Sequence, residues 1–200
     1  MFRYLAVLVI LLCLGVTGLL YKTQNNVLIL YGLLEGRTHT EGVGSKWLNI
    51  LPKHLAIWKA KATEHDCTAD YKGTKVSHVS MLTDVVFNQF AEPGVELDKE
   101  KAKELISYFT GRGCSINEIH PGSGFAPIHS AFLAAPDDHE YVFEIIRLGG
   151  DMGIRIQKPS SSVHGKTARE LISFIVQKGK SPDIEKYKML LRELDDRGIK

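Results

Sequence analysis

The sequence predicts an all-α protein: a short solenoid of paired helices behind an N-terminal membrane-spanning helix. Three observations carry that reading. Residues 5–20 form an uncharged apolar run, LAVLVILLCLGVTGLL. From about Val76 onward, six short apolar stripes recur at helical spacing, separated by Gly, Pro and Asn turns. Two helix-stopping glycines, Gly113 and Gly149, lie 36 residues apart. Short amphipathic helices cannot bury a core singly, but stacked pairs of them can. Bulk properties agree. The 200 residues are 44% hydrophobic and 24% charged, ordinary for a globular chain and too apolar for a disordered one. This composition excludes a fibre and a polytopic membrane protein. A net charge of +2 gives no global argument for binding nucleic acid. Three cysteines exclude a disulfide-dense miniprotein.

Residues 1–22 read as a signal anchor or transmembrane helix. From Phe2 to Tyr21 the stretch holds one charge, Arg3, and covers 20 residues. At 1.5 Å per residue, a helix of that length spans roughly 30 Å, the hydrocarbon thickness of a bilayer. A cleaved signal peptide is the competing reading, but Val16-Thr17-Gly18 is a poor cleavage site and bulky Leu19, Leu20 and Tyr21 follow it. Cys13 follows Ile10-Leu11-Leu12 with no small neighbour, so it does not read as a lipid-modified cysteine. Basic residues barely separate the two flanks. A three-residue lead before a large C-terminal domain favours the amino terminus inside and the domain outside. Cys67 and Cys114 then form a possible disulfide in an oxidising compartment, with two separate buried thiols as the alternative.

Residues 23–75 form a juxtamembrane region with one expected helix. Val27–Leu34 is apolar but too short to span a bilayer. Gly36–Ser45 reads as a loop. Residues 47–64 are expected to be helical, since Pro52 suits a first turn and Leu55, Trp58 and Ala62 recur at helical spacing. Asp66–Gly73 reads as a connection.

Residues 76–197 hold the six stripes. The first is Leu82, Val85, Val86 and Phe90. The second is Ala102, Leu105, Ile106 and Phe109, stopped by Gly111-Arg112-Gly113. The third, Ile128, Ala131, Phe132 and Ala135, follows Pro127, and the fourth, Val142, Ile145, Ile146 and Gly149, stops at Gly149-Gly150. The fifth is Ala168, Leu171, Ile172 and Ile175, and the sixth is Tyr187, Leu190, Leu191 and Leu194.

Gly124-Phe-Ala-Pro127-Ile-His129-Ser-Ala131 resembles the G-x-T-P-L-H-x-A motif of ankyrin repeats. Leu105 to Asn117 and Ile145 to Met152 resemble the end of such a repeat, and Gly165-Lys-Thr167-Ala168-Arg-Glu170-Leu171 resembles the start of a last one. The 36-residue recurrence is close to the ankyrin period of about 33. The resemblance covers roughly residues 76–197, about three repeats. Ala126 departs from the usual threonine, Ser160–Ser162 enlarges the last connection, and the first repeat lacks the start motif. The resemblance implies that His129 is structural, bonding backbone between repeats, and that Gly113 and Gly149 or Gly150 end helices in the left-handed conformation. Gly113, Gly124, Pro127, His129, Gly149, Gly150 and Thr167 are the expected framework residues.

No enzyme constellation is present, so the chain is read as a non-enzyme with no cofactor and no metal. His65-Asp66-Cys67 is the one tight His/Asp/Cys cluster, and no second ligand pair stands at metal spacing. No serine has a G-x-S-x-G context. Gly122-Ser-Gly124 lacks a following dinucleotide pattern. Asp137-Asp138 reads as a helix cap before a catalytic pair. Charge is uneven: residues 86–150 carry five more acids than bases, and residues 151–200 four more bases than acids. The basic end lacks the aromatic interleaving of a nucleic-acid surface, so neither nucleic acid nor a small-molecule substrate is expected.

The resemblance implies a protein-binding scaffold tethered to a bacterial inner membrane, its domain facing the periplasm. Expected partner contacts are Glu118, His120, Phe125, Phe132, Asp137, Asp138, Arg155, Gln157 and Lys158, on the concave face and hairpin tips. Small anchored ankyrin proteins of bacteria often resemble immunity proteins, which makes a secreted toxin or effector the sharpest expected partner. The alternatives are a bitopic scaffold of an envelope complex, and an enzyme with an unrecognised site in residues 23–75, where Cys67 and His65 lie.

Overall fold

A computed structural model describes residues 61, 66–71, 73–87 and 98–199. The expected anchor, the Val27–Leu34 segment, His65 and all of the expected 47–64 helix except Lys61 lie outside these residues. Lys61 itself is helical. Among the described residues no helix is long and apolar enough to cross a membrane.

The described chain is mostly helical. Two short strands come first, β1 (Thr68–Tyr71) and β2 (Thr74–Ser77). Six helices follow: α1 (His78–Phe87), α2 (Lys99–Gly111), α3 (Pro127–Ala134), α4 (His139–Arg147), α5 (Ala168–Lys178) and α6 (Ile184–Asp196). The strands correct the expectation of a connection over Asp66–Gly73. They pair antiparallel, with Thr68 opposite Ser77 and Tyr71 opposite Thr74. A lone two-stranded hairpin is marginal in water. Here it is tied down at its base. Cys67, one residue before β1, is disulfide-bonded to Cys114, with Cα atoms 5.2 Å apart. The His78 N–H at the start of α1 donates to the Cys67 carbonyl at 3.0 Å.

Helix ends follow local chemistry. Asp98 caps α2 by accepting from the Lys101 N–H at 3.1 Å. Asp138 caps α4 by accepting from the Tyr141 N–H at 3.2 Å. Thr167 and Glu170 cap α5 reciprocally: the Glu170 carboxylate accepts from the Thr167 N–H at 2.8 Å, and the Thr167 hydroxyl accepts from the Glu170 N–H at 3.3 Å. Gly113 and Gly149 both sit at φ 94°, a left-handed region that side chains other than glycine rarely adopt. There they turn the chain so that Cys114 N–H reaches the Phe109 carbonyl at 3.1 Å and Gly150 N–H the Ile145 carbonyl at 2.9 Å.

The helices form three pairs. α1 packs on α2, α3 on α4 and α5 on α6, while α1 touches α3 and α3 touches α5. So α1, α3 and α5 form an inner row and α2, α4 and α6 an outer one. One continuous apolar core runs through all six, from Val79 and Leu82 through Phe109, Phe132 and Ile145 to Ile172, Leu190 and Leu194. Burial of this apolar area is the main force holding the pairs together.

Candidate functional site: the finger face

Each inner helix is preceded by an extended excursion. Before α1 it is the β1–β2 hairpin. Before α3 it is a finger in which His120 N–H donates to the Phe125 carbonyl and Gly124 N–H to the His120 carbonyl, both at 2.8 Å. Before α5 it is a longer finger closed by Ile156 N–H to the Lys166 carbonyl and Gly165 N–H to the Ile156 carbonyl, both at 2.9 Å. The second and third fingers are stitched edge to edge, because Gln157 N–H donates to the Gly124 carbonyl at 2.9 Å. The chains approach so closely there that a Cβ on Gly124 would lie 2.3 Å from the Gln157 carbonyl oxygen, and Gly124 also sits at φ +74°. Both facts demand glycine.

His129 locks the second finger to the third. Its Nδ1 accepts from the Ala126 N–H at 3.0 Å, so the proton sits on Nε2, which donates to the Ile154 carbonyl at 3.1 Å. Ala126 is the N-cap residue of α3 but has no hydroxyl to cap with, and His129 serves the N-cap N–H instead. The imidazole is fully buried, and burial holds its pKa below the ordinary value. Asn117 works in the same way at the helix-ending turns. Its side-chain amide donates to the Gly149 carbonyl at 3.0 Å and accepts from the Asp151 N–H at 2.8 Å. No sequence argument singled out this bridge.

The expected contact residues divide. His120 and Phe125 stand on the second finger, and Gln157 and Lys158 stand exposed on the third. Glu118, half-buried, leads into the second finger. Phe125 lies against His129, ring centroids 5.9 Å apart. His120 Nδ1 accepts from the Gly122 and Ser123 N–H groups at 3.2 Å each, its Nε2 lies 3.9 Å from Asp84 Oδ2, and burial lowers its pKa. Arg155 is exposed but engaged, donating to the Gly165 carbonyl at 2.6 Å and pairing with Glu170 at 3.4 Å.

Three residues do not belong to this face. Phe132 is 0% exposed and packs in the core, because it lies on the buried stripe of α3. Asp137 and Asp138 lie at the opposite end of α3, eight residues long, so about 12 Å of helix separates them from the fingers. Asp138 is further occupied by the α4 cap and by an ion pair with Lys103.

A cavity of about 270 Å³ opens elsewhere, between the α3–α4 turn and α6. It is lined by Ala135, Pro136, His139, Lys186, Met189 and Glu193. Its acid–base groups are already engaged: Glu193 pairs with His139 and with Arg197, and these partners, His139 foremost, hold its carboxyl below the usual range. Lys186, the remaining charged group of its lining, pairs with Asp183 at 3.2 Å. Among the described residues no group of three or more His, Cys, Asp or Glu is placed to hold a metal ion. The finger face presents exposed polar side chains, Gln157 and Lys158 among them, on a hydrogen-bonded frame. Comparison with known protein families, with curated proteins and with solved structures gives no match.

Proposed function

We propose that this protein is a membrane-tethered ankyrin-repeat module that binds another protein on its finger face. The observation that carries the reading is the recurrence of one unit: an extended finger, an inner helix and an outer helix, with neighbouring fingers joined from Gln157 N–H to the Gly124 carbonyl. Such an array buries its core between helices and leaves a row of tips for recognition. The residues from Gly124 to Ala131, and Gly165 to Leu171, supply the sequence side of the argument. The Cys67–Cys114 disulfide supports an oxidising, non-cytoplasmic location, and the apolar run at residues 5–20 supports a tether to the bacterial inner membrane. In its sharpest form the module is an immunity protein that neutralises a secreted toxin by a tight one-to-one complex. It performs no catalysis of its own.

The test is affinity capture with the full chain from a periplasmic fraction and from lysates expressing toxins encoded beside it. One stoichiometric protein partner, lost or weakened on Gln157→Ala/Lys158→Ala while the fold is retained, is the expected result. Deletion should harm cells only when that toxin is present. No captured partner from either source, or harm without any toxin, would sink the immunity reading.

A further inference from the structure

The last inner helix, α5, carries an arrangement that packing does not require. Two lysines converge on one ring: Lys166 Nζ lies 4.9 Å from the Phe174 centroid, and Lys178 Nζ lies 5.2 Å from it. Phe174 and Lys178 are one turn apart on α5, and Lys166 reaches the ring from the base of the third finger. Neither ammonium has a carboxylate at salt-bridge distance among the described residues, and the same holds for exposed Lys158 on that finger. Glu170, on the same helix, is already engaged by the α5 cap and by Arg155. The ring's negative face offsets part of the repulsion between two cations. Glu170 acts on Lys166 from beyond salt-bridge distance, so both ammonium groups stay open to a further anion.

We propose that Lys166, Phe174 and Lys178 form a clamp for an acidic segment of the protein partner. Two partner carboxylates pair with the ammonium groups, one each, and an apolar side chain between them covers the half-buried ring. This deepens the binding-module reading and rests on it. A local acidic protein patch fits better than an extended polyanion. Residues 86–150, the neighbouring part of the array, carry five more acids than bases and repel a nucleic-acid backbone or an anionic bilayer. The clamp therefore also sets the partner's direction along the fingers, with its acidic end toward α5.

The test uses the full chain in detergent micelles and fluorescence anisotropy. The probes are a labelled peptide carrying Glu-Leu-Glu in a Gly/Ser background, its Gln-Leu-Gln counterpart, and phosphatidylglycerol vesicles. The acidic peptide should bind in a salt-sensitive way and the amide peptide about tenfold more weakly or not at all. Lys166→Gln/Lys178→Gln should weaken the acidic peptide about tenfold, Lys166→Arg/Lys178→Arg should retain it, and Lys180→Gln should change it by less than about twofold. Equal losses from Lys180→Gln and the clamp pair would overturn the clamp, as would no preference for Glu over Gln, or binding of the vesicles alone. A captured protein partner that Lys166→Gln/Lys178→Gln still holds overturns the clamp and leaves the binding module standing. Failure to capture any partner while the acidic peptide still binds overturns the module's assigned role instead.

Discussion

Replacing both bonded cysteines, Cys67→Ala with Cys114→Ala, should detach the hairpin end of the array and lower stability substantially. The bond closes a loop over a sequence separation of 47 residues. Opening a loop of that length returns about 14 cal/mol/K to the unfolded chain, or about 4 kcal/mol at 25 °C. Two structural facts bear on whether that figure is realised. Cys114 is buried, with 7% exposure, so truncating it also removes packing. Against that, the His78 N–H to Cys67 carbonyl bond survives the change and retains part of the junction. The expected net loss is about 3–4 kcal/mol, a large fraction of the roughly 5–15 kcal/mol typical of a domain. The assay is urea unfolding of the full chain, followed by far-ultraviolet circular dichroism. With a slope of about 1–3 kcal/mol/M, the midpoint should fall by about 1 M or more. Reductant should lower the unsubstituted protein by the same amount and leave the variant unchanged. A loss under about 1 kcal/mol, or a variant that still responds to reductant, would refute the loop-closure reasoning.

Other expectations follow from single contacts. His129→Ala removes two hydrogen bonds and leaves a gap at a fully buried site, so it should cost about 2–4 kcal/mol in the same unfolding assay. Burial depresses the His129 pKa from 6.5 in the folded protein, so the unfolded chain binds the proton more readily. Stability should be fully present above pH 6.5 and be lost as pH falls through the lower folded value, a loss that His129→Gln should diminish. Gly124→Ala forces a Cβ toward the Gln157 carbonyl. It should cost about 2 kcal/mol or more and accelerate hydrogen exchange at the Gln157 amide, and unchanged exchange there would show that the seam accommodates a methyl group. Asp138→Ala removes the α4 cap and the Lys103 ion pair, and should cost about 1–2 kcal/mol without moving any finger resonance in an NMR spectrum.

Helix ends and faces were legible because local chemistry sets them. Gly113 and Gly149, Pro127, and the Thr167–Glu170 pair are written into single turns, and each acts within a few residues of itself. The hairpin was not legible. Ala69 and Asp70 are weak strand formers, and what holds β1 in place is a disulfide to Cys114, far away in the chain. Its second strand runs straight into α1 at Ser77-His78. Phe132 was misread against a signal already present. It belongs to the Ile128, Ala131, Phe132 stripe, and helical spacing alone puts it with the buried set. Asp137 and Asp138 show a different limit. A 3.6-residue period says which side of a helix is wet, but not which end of it meets the fingers. The Asn117 bridge spans 32 and 34 residues, so no local pattern could have announced it. Within the clamp, Phe174 and Lys178 stand at i and i+4 and could have been paired on sight, whereas Lys166 lies outside the helix and joins them only in three dimensions.

The array separates what holds it from what it displays. The helices are held by a shared apolar core, while the finger seam runs through backbone groups, Gly124 carbonyl to Gln157 N–H, and through the buried ring of His129. None of these uses the side chains of Gln157 or Lys158, which are exposed at the seam. Substitutions at those two positions should therefore leave the unfolding free energy within about 0.5 kcal/mol of the parent, however strongly they alter recognition. On the proposed binding role, such a surface changes its partner by exchanging tips while Gly124 and His129 stay fixed. The same logic makes Gly124 and His129 the wrong places to look for specificity, because altering either disturbs the frame on which every tip depends.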